Sequence, residues 1–226
     1  TIAVPNSASF AAAIFDGGED GGAPESPITS DIDVITFAGD NDGVVGGNIT
    51  NWEKFTVDNN VSIAFADNSL TLDGYDGGNA NDMGLASIMG GATLKAGAGM
   101  GESFTLNGNM ANSGMLSMQD GTYGGNILIA GDYTSDGGEL GVDVDFYDLQ
   151  SDVLTFGGTI DGVTDIAIND VTGENRARFG AILVADTTSA TAIDQNEFTI
   201  ETGDKTASGL YAYSIYYNLT GDPDIG

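Results

Sequence analysis

The residues of this chain best suited to chemistry are its aspartates. Asp143 and Asp145 stand two apart, a spacing that puts two carboxylates on one face of a strand, as acid/base attack on a glycoside requires. Asp40-Asn41-Asp42-Gly43 is an oxygen-rich turn of the kind that ligates Ca²⁺. So is Asp73-Gly74-Tyr75-Asp76, followed by Asn79 and Asp82. The chain holds no His and no Cys, so within it Ser-His-Asp, Cys-His, thiolate and His-ligated metal mechanisms are excluded, as are disulfides.

Each of these candidates has a plainer explanation. Val142 and Val144 alternate with Asp143 and Asp145, and the apolar set must face a core, so the two carboxylates are predicted to face water. Neither Asp-rich turn completes an EF-hand loop with Glu at position 12, and no GGxGxDxUx nonapeptide repeats. Turn-forming Asp and Asn account for both without a metal. Trp52 and the tyrosines Tyr211, Tyr213, Tyr216 and Tyr217 sit at strand spacing and are read as core or cap packing rather than as contact residues. The longest candidate recognition loops are residues 16–30 and 73–84. The prediction is therefore no catalytic residue, no cofactor-binding residue and no metal ligand.

What must position these residues is a series of short strands. From Gly108 to Asp170, apolar pairs recur at i, i+2: Leu116/Met118, Ile127/Ile129, Leu140/Val142, Leu154/Phe156 and Ile166/Ile168. Gly, Asp, Asn and Ser separate them. Leu116 to Leu140 is 24 residues, Leu140 to Ile166 is 26 and Ile127 to Leu154 is 27, a loose period near 25. Upstream, Ile32–Phe37, Val44–Ile49, Trp52–Val57, Val61–Phe65, Leu70–Leu72, Leu85–Ile88, Leu94–Ala96 and Phe104–Leu106 continue the signal. Leu70 to Leu94 spans 24 residues and Leu94 to Leu116 spans 22. Such a period built from strands predicts a parallel β-solenoid of roughly six coils over residues 31–170, about 30 Å long and coiled right-handed.

Composition agrees. Gly numbers 35, and of 34 acids only eight are Glu, leaving 26 Asp, the turn former. A hydrophobic fraction of 41% is too high for a disordered chain. The net charge of −29, with bases only at Lys54, Lys95, Arg176, Arg178 and Lys205, excludes a nucleic-acid or anionic-membrane partner. No apolar run approaches the ~18 residues of a membrane-spanning helix.

After Asp170 the spacing loosens. Phe179–Ala185, Glu197–Glu201 and Leu210–Asn218 read as longer strands, and the last is dense in tyrosine. Residues 171–226 are predicted to form an antiparallel β-hairpin or sandwich cap over the open end of the solenoid. Residues 1–30 are read as an incomplete first coil or a loop. The region after about Asp152 is expected to control folding, since local hairpins close shorter loops than parallel coils do.

The same residues carry a resemblance. NSGMLSM from Asn112, GGNILIAGDYTSDGGELGVDVDF from Gly124 and SDVLTFGG from Ser151 resemble the last turns of a bacterial autotransporter passenger, of type V secretion. DVITFAGDNDGVVGGNITNWEKFTV (Asp33 to Val57) and FTIETGDKTASGLYAYSIYYNLTGD (Phe198 to Asp222) extend the match over roughly residues 31–222. The resemblance implies an all-β, right-handed parallel β-helix ending in an autochaperone cap, secreted or held at the outer-membrane surface of a Gram-negative bacterium. It implies a non-enzymatic stalk that supports vectorial folding and displays adhesive or effector regions. It also implies as partners the chain's own outer-membrane β-barrel translocator and a host-cell, matrix or neighbouring-passenger surface. The chain ends at Gly226 without that barrel and is read as a piece of passenger. Two alternatives remain: a β-helical polysaccharide-acting enzyme of pectate-lyase type, and an acidic calcium-dependent structural repeat protein. A lyase needs a basic proton acceptor beside its carboxylates, and in the coil region only Lys54 and Lys95 are basic.

Overall fold

Short runs alternating inward apolar and outward polar residues, each closed by Gly, Asn or Asp, can bury their apolar side only by stacking on copies of themselves. The computed structural model shows that solution. It describes residues 2–5, 15–16, 32–39, 42–46, 49–72, 83–97, 102–173, 177–190, 197–200 and 214–215. No helix occurs among them.

The strands follow the chain coil by coil. β1 (Ile2–Pro5) and β2 (Phe15–Asp16) come first, then β3 (Val34–Ala38), β4 (Asp42–Val45) and β5 (Ile49–Thr50). The next two coils are β6 (Lys54–Val57), β7 (Ser62–Phe65) and β8 (Ser69–Thr71), then β9 (Leu85–Ile88), β10 (Thr93–Lys95) and β11 (Ser103–Asn107). β12 (Asn109–Asn112), β13 (Met115–Ser117) and β14 (Asn126–Ile129) complete a fourth. β15 (Tyr133–Asp145), β16 (Gln150–Ser151) and β17 (Val153–Phe156) form a fifth. β18 (Ile160–Asp170), β19 (Ala185–Asp186) and β20 (Phe198–Thr199) follow.

Equivalent strands pair in parallel, giving three faces. One stack runs β1-β3-β6-β9-β12-β15, a second β15-β13-β10-β7-β4, and a third β19-β17-β14-β11-β8. The register lines up the core: Ile35, Phe55, Ala86, Met110, Tyr133 and Ile160 fall in one column. Ile63, Leu94, Leu116, Leu140 and Ile166 fall in another. Leu70, Leu106, Ile129 and Phe156 line the third face. All are buried, and each Leu, Ile, Phe or Met side chain among them contributes about 1.5–3 kcal/mol. Tilted ring pairs reinforce the column: Phe37–Phe55 at 5.3 Å, Phe55–Phe65 at 5.6 Å and Phe65–Phe104 at 5.1 Å.

The 22-, 24-, 26- and 27-residue intervals predicted for Leu94–Leu116, Leu116–Leu140, Leu140–Ile166 and Ile127–Leu154 are true coil-to-coil partners. The 24-residue interval from Leu70 to Leu94 is not, because Leu70 pairs with Leu106 and Leu94 with Ile63. Thirteen residues, 72–84, separate β8 from β9 and lengthen that interval.

β15 and β18 are longer than any other strand because they cross a corner. The first part of β15 pairs with β12 and the second with β13, so two faces become one sheet. A bulge between Asp136 and Gly138 turns the corner, with Gly137 at φ +68°. Beside it, Gly162 at φ +84° sits so close to the coil above that a Cβ would lie 1.9 Å from the Ser135 carbonyl oxygen.

Beyond Asp170 the described strands still pair in parallel, β19 with β17 and β20 with β18. The antiparallel pairing among the described residues lies upstream, where Val144 faces Ser151 and Asp145 faces Gln150. Of the strand expected over Phe179–Ala185, only Ala185 is in one. That segment instead lies against the 146–151 turn: Arg178 N donates to Phe146 O, Ser151 Oγ donates to Leu183 O, and Gly180 passes close to the Leu149 side chain. Of the expected strand Glu197–Glu201, Phe198–Thr199 is in a strand among the described residues, and Glu201 lies outside them. The tyrosine run at 211–217 lies outside the described residues except for Ser214 and Ile215, and Ile215 packs against the core.

Candidate functional site

Asp143 and Asp145 do not face water. Asp143 is 0% exposed and Asp145 7%, although Val142 and Val144 between and beside them are also buried. For Asp143 the reason is the run 119–125 between β13 and β14, which folds over the outer side of β15, while Asp145 is covered by its own turn. The run's backbone N–H groups need acceptors, and carboxylates supply them. Asp143 Oδ2 accepts from Asp120 N and Gly121 N, each at 2.7 Å, and its Oδ1 accepts from Asn169 Nδ2. Gln119 Nε2 donates across the coils to Ala167 O at 2.8 Å.

A third carboxylate, absent from the sequence reading, completes the group. Asp152 is 0% exposed. Its Oδ1 accepts from Gly125 N and its Oδ2 from Asp143 N, both at 2.8 Å, while Asp152 N donates to Asp143 O at 3.0 Å. Burial pushes its carboxyl up to about 6; the two N–H donors oppose that, and the charges of Asp143 and Asp120 add to it. The cue in the sequence is indirect: residues 119–125 lack an i, i+2 apolar pair, so most of their backbone has to find partners outside a strand ladder.

The turn joining β15 to β16 is capped from within. Asp145 Oδ1 accepts from Tyr147 N at 2.7 Å and Asp148 N at 2.9 Å, and Leu149 adopts φ +56°. Outside it, Tyr123 OH donates to Asp148 Oδ2 at 3.3 Å, and the Arg178 guanidinium lies 4.0 Å from the Tyr147 ring centre. The charge of Asp148 raises the Tyr123 hydroxyl pKa above its ordinary value.

A second polar group lies inside the solenoid at the β12–β13 corner. Asn112 Nδ2 donates to Tyr133 OH and to Glu139 O, each at 3.1 Å, and Asn112 Oδ1 accepts from Gly114 N. Tyr133 OH pairs with Thr164 Oγ1 at 3.0 Å. Burial raises the tyrosine's pKa against its hydrogen bonds to Thr164, Asn112 and Ser135. Asn112 and Ser135 meet backbone groups that the corner turns inward, while Tyr133 and Thr164 pair through their side chains.

Of the other candidates, Trp52 is in the core at 2% exposure. Asp42 and Gly43 open β4, while Asp40, Asn41 and all of 73–82 lie outside the described residues, as do residues 17–30. Lys54 and Lys95 sit half-buried on β6 and β10, on different faces. Chemically, the assembled carboxylates act as acceptors for backbone N–H groups: all four oxygens of Asp143 and Asp152 are engaged.

The chain is similar to a probable autotransporter of Escherichia coli strain K12, YfaL, with 33% identity over 116 residues. The match covers 49% of this chain and 9% of that relative, so the chain spans under a tenth of its length. No family model matches, and no solved structure matches.

Proposed function

We propose that this autotransporter-related chain is a stretch of passenger stalk, secreted or displayed at the outer-membrane surface of a Gram-negative bacterium, whose work is structural and not enzymatic. Its similarity to a probable autotransporter carries the reading, and the continuous parallel stack of coils supports it. Such coils add one at a time to an existing edge, so folding that starts near the C-terminal end draws the preceding chain outward without ATP and presents whatever lies N-terminal to it. The partners are an outer-membrane β-barrel translocator and, through the displayed regions, a host-cell, matrix or neighbouring-passenger surface. The engaged oxygens of Asp143 and Asp152 support a non-catalytic role, and a net charge of −29 argues against nucleic acid.

The test is display. Fused ahead of an autotransporter linker and barrel, the chain should become sensitive to protease added to intact cells, and should be released as a folded, protease-resistant body when the linker is cut. Retention in the periplasm with an intact, inserted barrel would reject the reading. Release of acidic sugars from polygalacturonate by the purified chain would reject its non-enzymatic half.

A further inference from the structure

We propose that residues 143–152 are the nucleus from which the solenoid grows in both directions. Each parallel pairing among the described residues joins positions at least 20 apart, the shortest being Val34 with Lys54 and Asp42 with Ser62. The β15–β16 pairing joins Val144 to Ser151 and Asp145 to Gln150, seven and five residues apart. Loop closure is the entropic barrier to a first contact, so this hairpin forms ahead of any coil-to-coil pairing. It also carries its own bonds: Asp145 caps Tyr147 N and Asp148 N, and Asp143 and Asp152 bond reciprocally across its mouth.

Once formed, the hairpin presents fixed acceptors to both neighbours. Toward the preceding coil, Asp152 Oδ1 takes Gly125 N and Asp143 Oδ2 takes Asp120 N and Gly121 N. Toward the following coil, Asp143 Oδ1 takes Asn169, Val144 O takes Val171 N, and Phe146 N donates to Thr172 Oγ1. This places the start of folding upstream of the 171–226 region. The inference leans on the stalk reading only for its use in secretion; the nucleus is a property of the purified chain, so either can fail alone.

Refolding and unfolding rates of the full 226-residue chain test it. Asp145→Ala removes the turn's cap and should slow refolding about tenfold while changing unfolding less than about twofold. Ile127→Val, in β14 and 0% exposed, should do the reverse, speeding unfolding with refolding within about twofold. Should Asp145→Ala not fold, Leu149→Gly carries the test: it relieves the left-handed backbone at φ +56° and should speed refolding about threefold. Equal slowing by Ile127→Val and Asp145→Ala would overturn the proposal. Refolding of Leu149→Gly no faster than the parent chain would overturn it as well.

Discussion

A surface carboxylate normally titrates as a solvated group, but Asp152, in the break between β16 and β17, accepts two backbone N–H bonds in a site closed to water. With its folded pKa raised from 3.8 to about 6, the folded chain holds this proton more tightly than the unfolded one. Its contribution to stability is therefore fully present below pH 3.8 and is lost as the pH rises through about 6. Urea midpoints should rise, on this group's account, between about pH 7 and pH 5, and Asp152→Asn should flatten that part of the profile. Parallel profiles for the two proteins would show that Asp152 does not titrate there. Asp143→Ala strands Asp120 N, Gly121 N and Asn169 Nδ2 together, and should cost about 3 kcal/mol or more in denaturant titration. At this scale the sequence was misleading for a definite reason. Alternation tells which side of a strand a residue occupies, but not whether another stretch of chain covers that side, as residues 119–125 do here.

Single elements were more legible. The i, i+2 pairs Leu116/Met118, Ile127/Ile129, Leu140/Val142 and Leu154/Phe156 all point inward as read, because a two-residue period has one buried phase. What the pattern did not carry is where faces join. Leu70 and Leu94 lie a plausible period apart yet belong to different sheets, since the number of residues between two strands can change without any change in the strands themselves. The corner in β15 and β18 was equally hidden, as its only marks are glycines among many. Gly162 marks it most sharply: at φ +84°, with a Cβ position 1.9 Å from Ser135 O, Gly162→Ala must displace the coil above. Its cost should exceed about 3 kcal/mol, whereas Gly121→Ala, with open space around it, should cost only the left-handed strain of about 1–2 kcal/mol. Thermal melts of the two variants compare them directly. Tyr133→Phe keeps the ring contact with Phe156 at 5.2 Å but leaves Asn112 and Thr164 short of a partner, for a loss of about 1–2 kcal/mol.

For the molecule as a whole, the parallel stacking of strands was read correctly because it recurs on every coil, although the interval from Leu70 to Leu94 is not a coil repeat; charge is free to gather in the turns. A net charge of −29 on a chain of this size works against the compact state. Raising NaCl from about 10 mM to about 500 mM should therefore raise the melting temperature, with most of the gain by about 150 mM, where the screening length falls to roughly 8 Å. A melting temperature that is flat or falls with salt would mean that local ion pairs outweigh the repulsion. The bent strands β15 and β18 have one more consequence, which appears only under load. In the coils before them, adjacent faces are separate strands that meet at turns such as Gly90–Gly91 and Ser113–Gly114. Through β15 and β18 one ladder from Tyr133–Ile160 to Val144–Asp170 carries that corner, interrupted only by the bulge between Asp136 and Gly138. Stretched between its ends, the rod should yield in steps, shedding the coils before Tyr133 at low force and resisting longest at this braced collar.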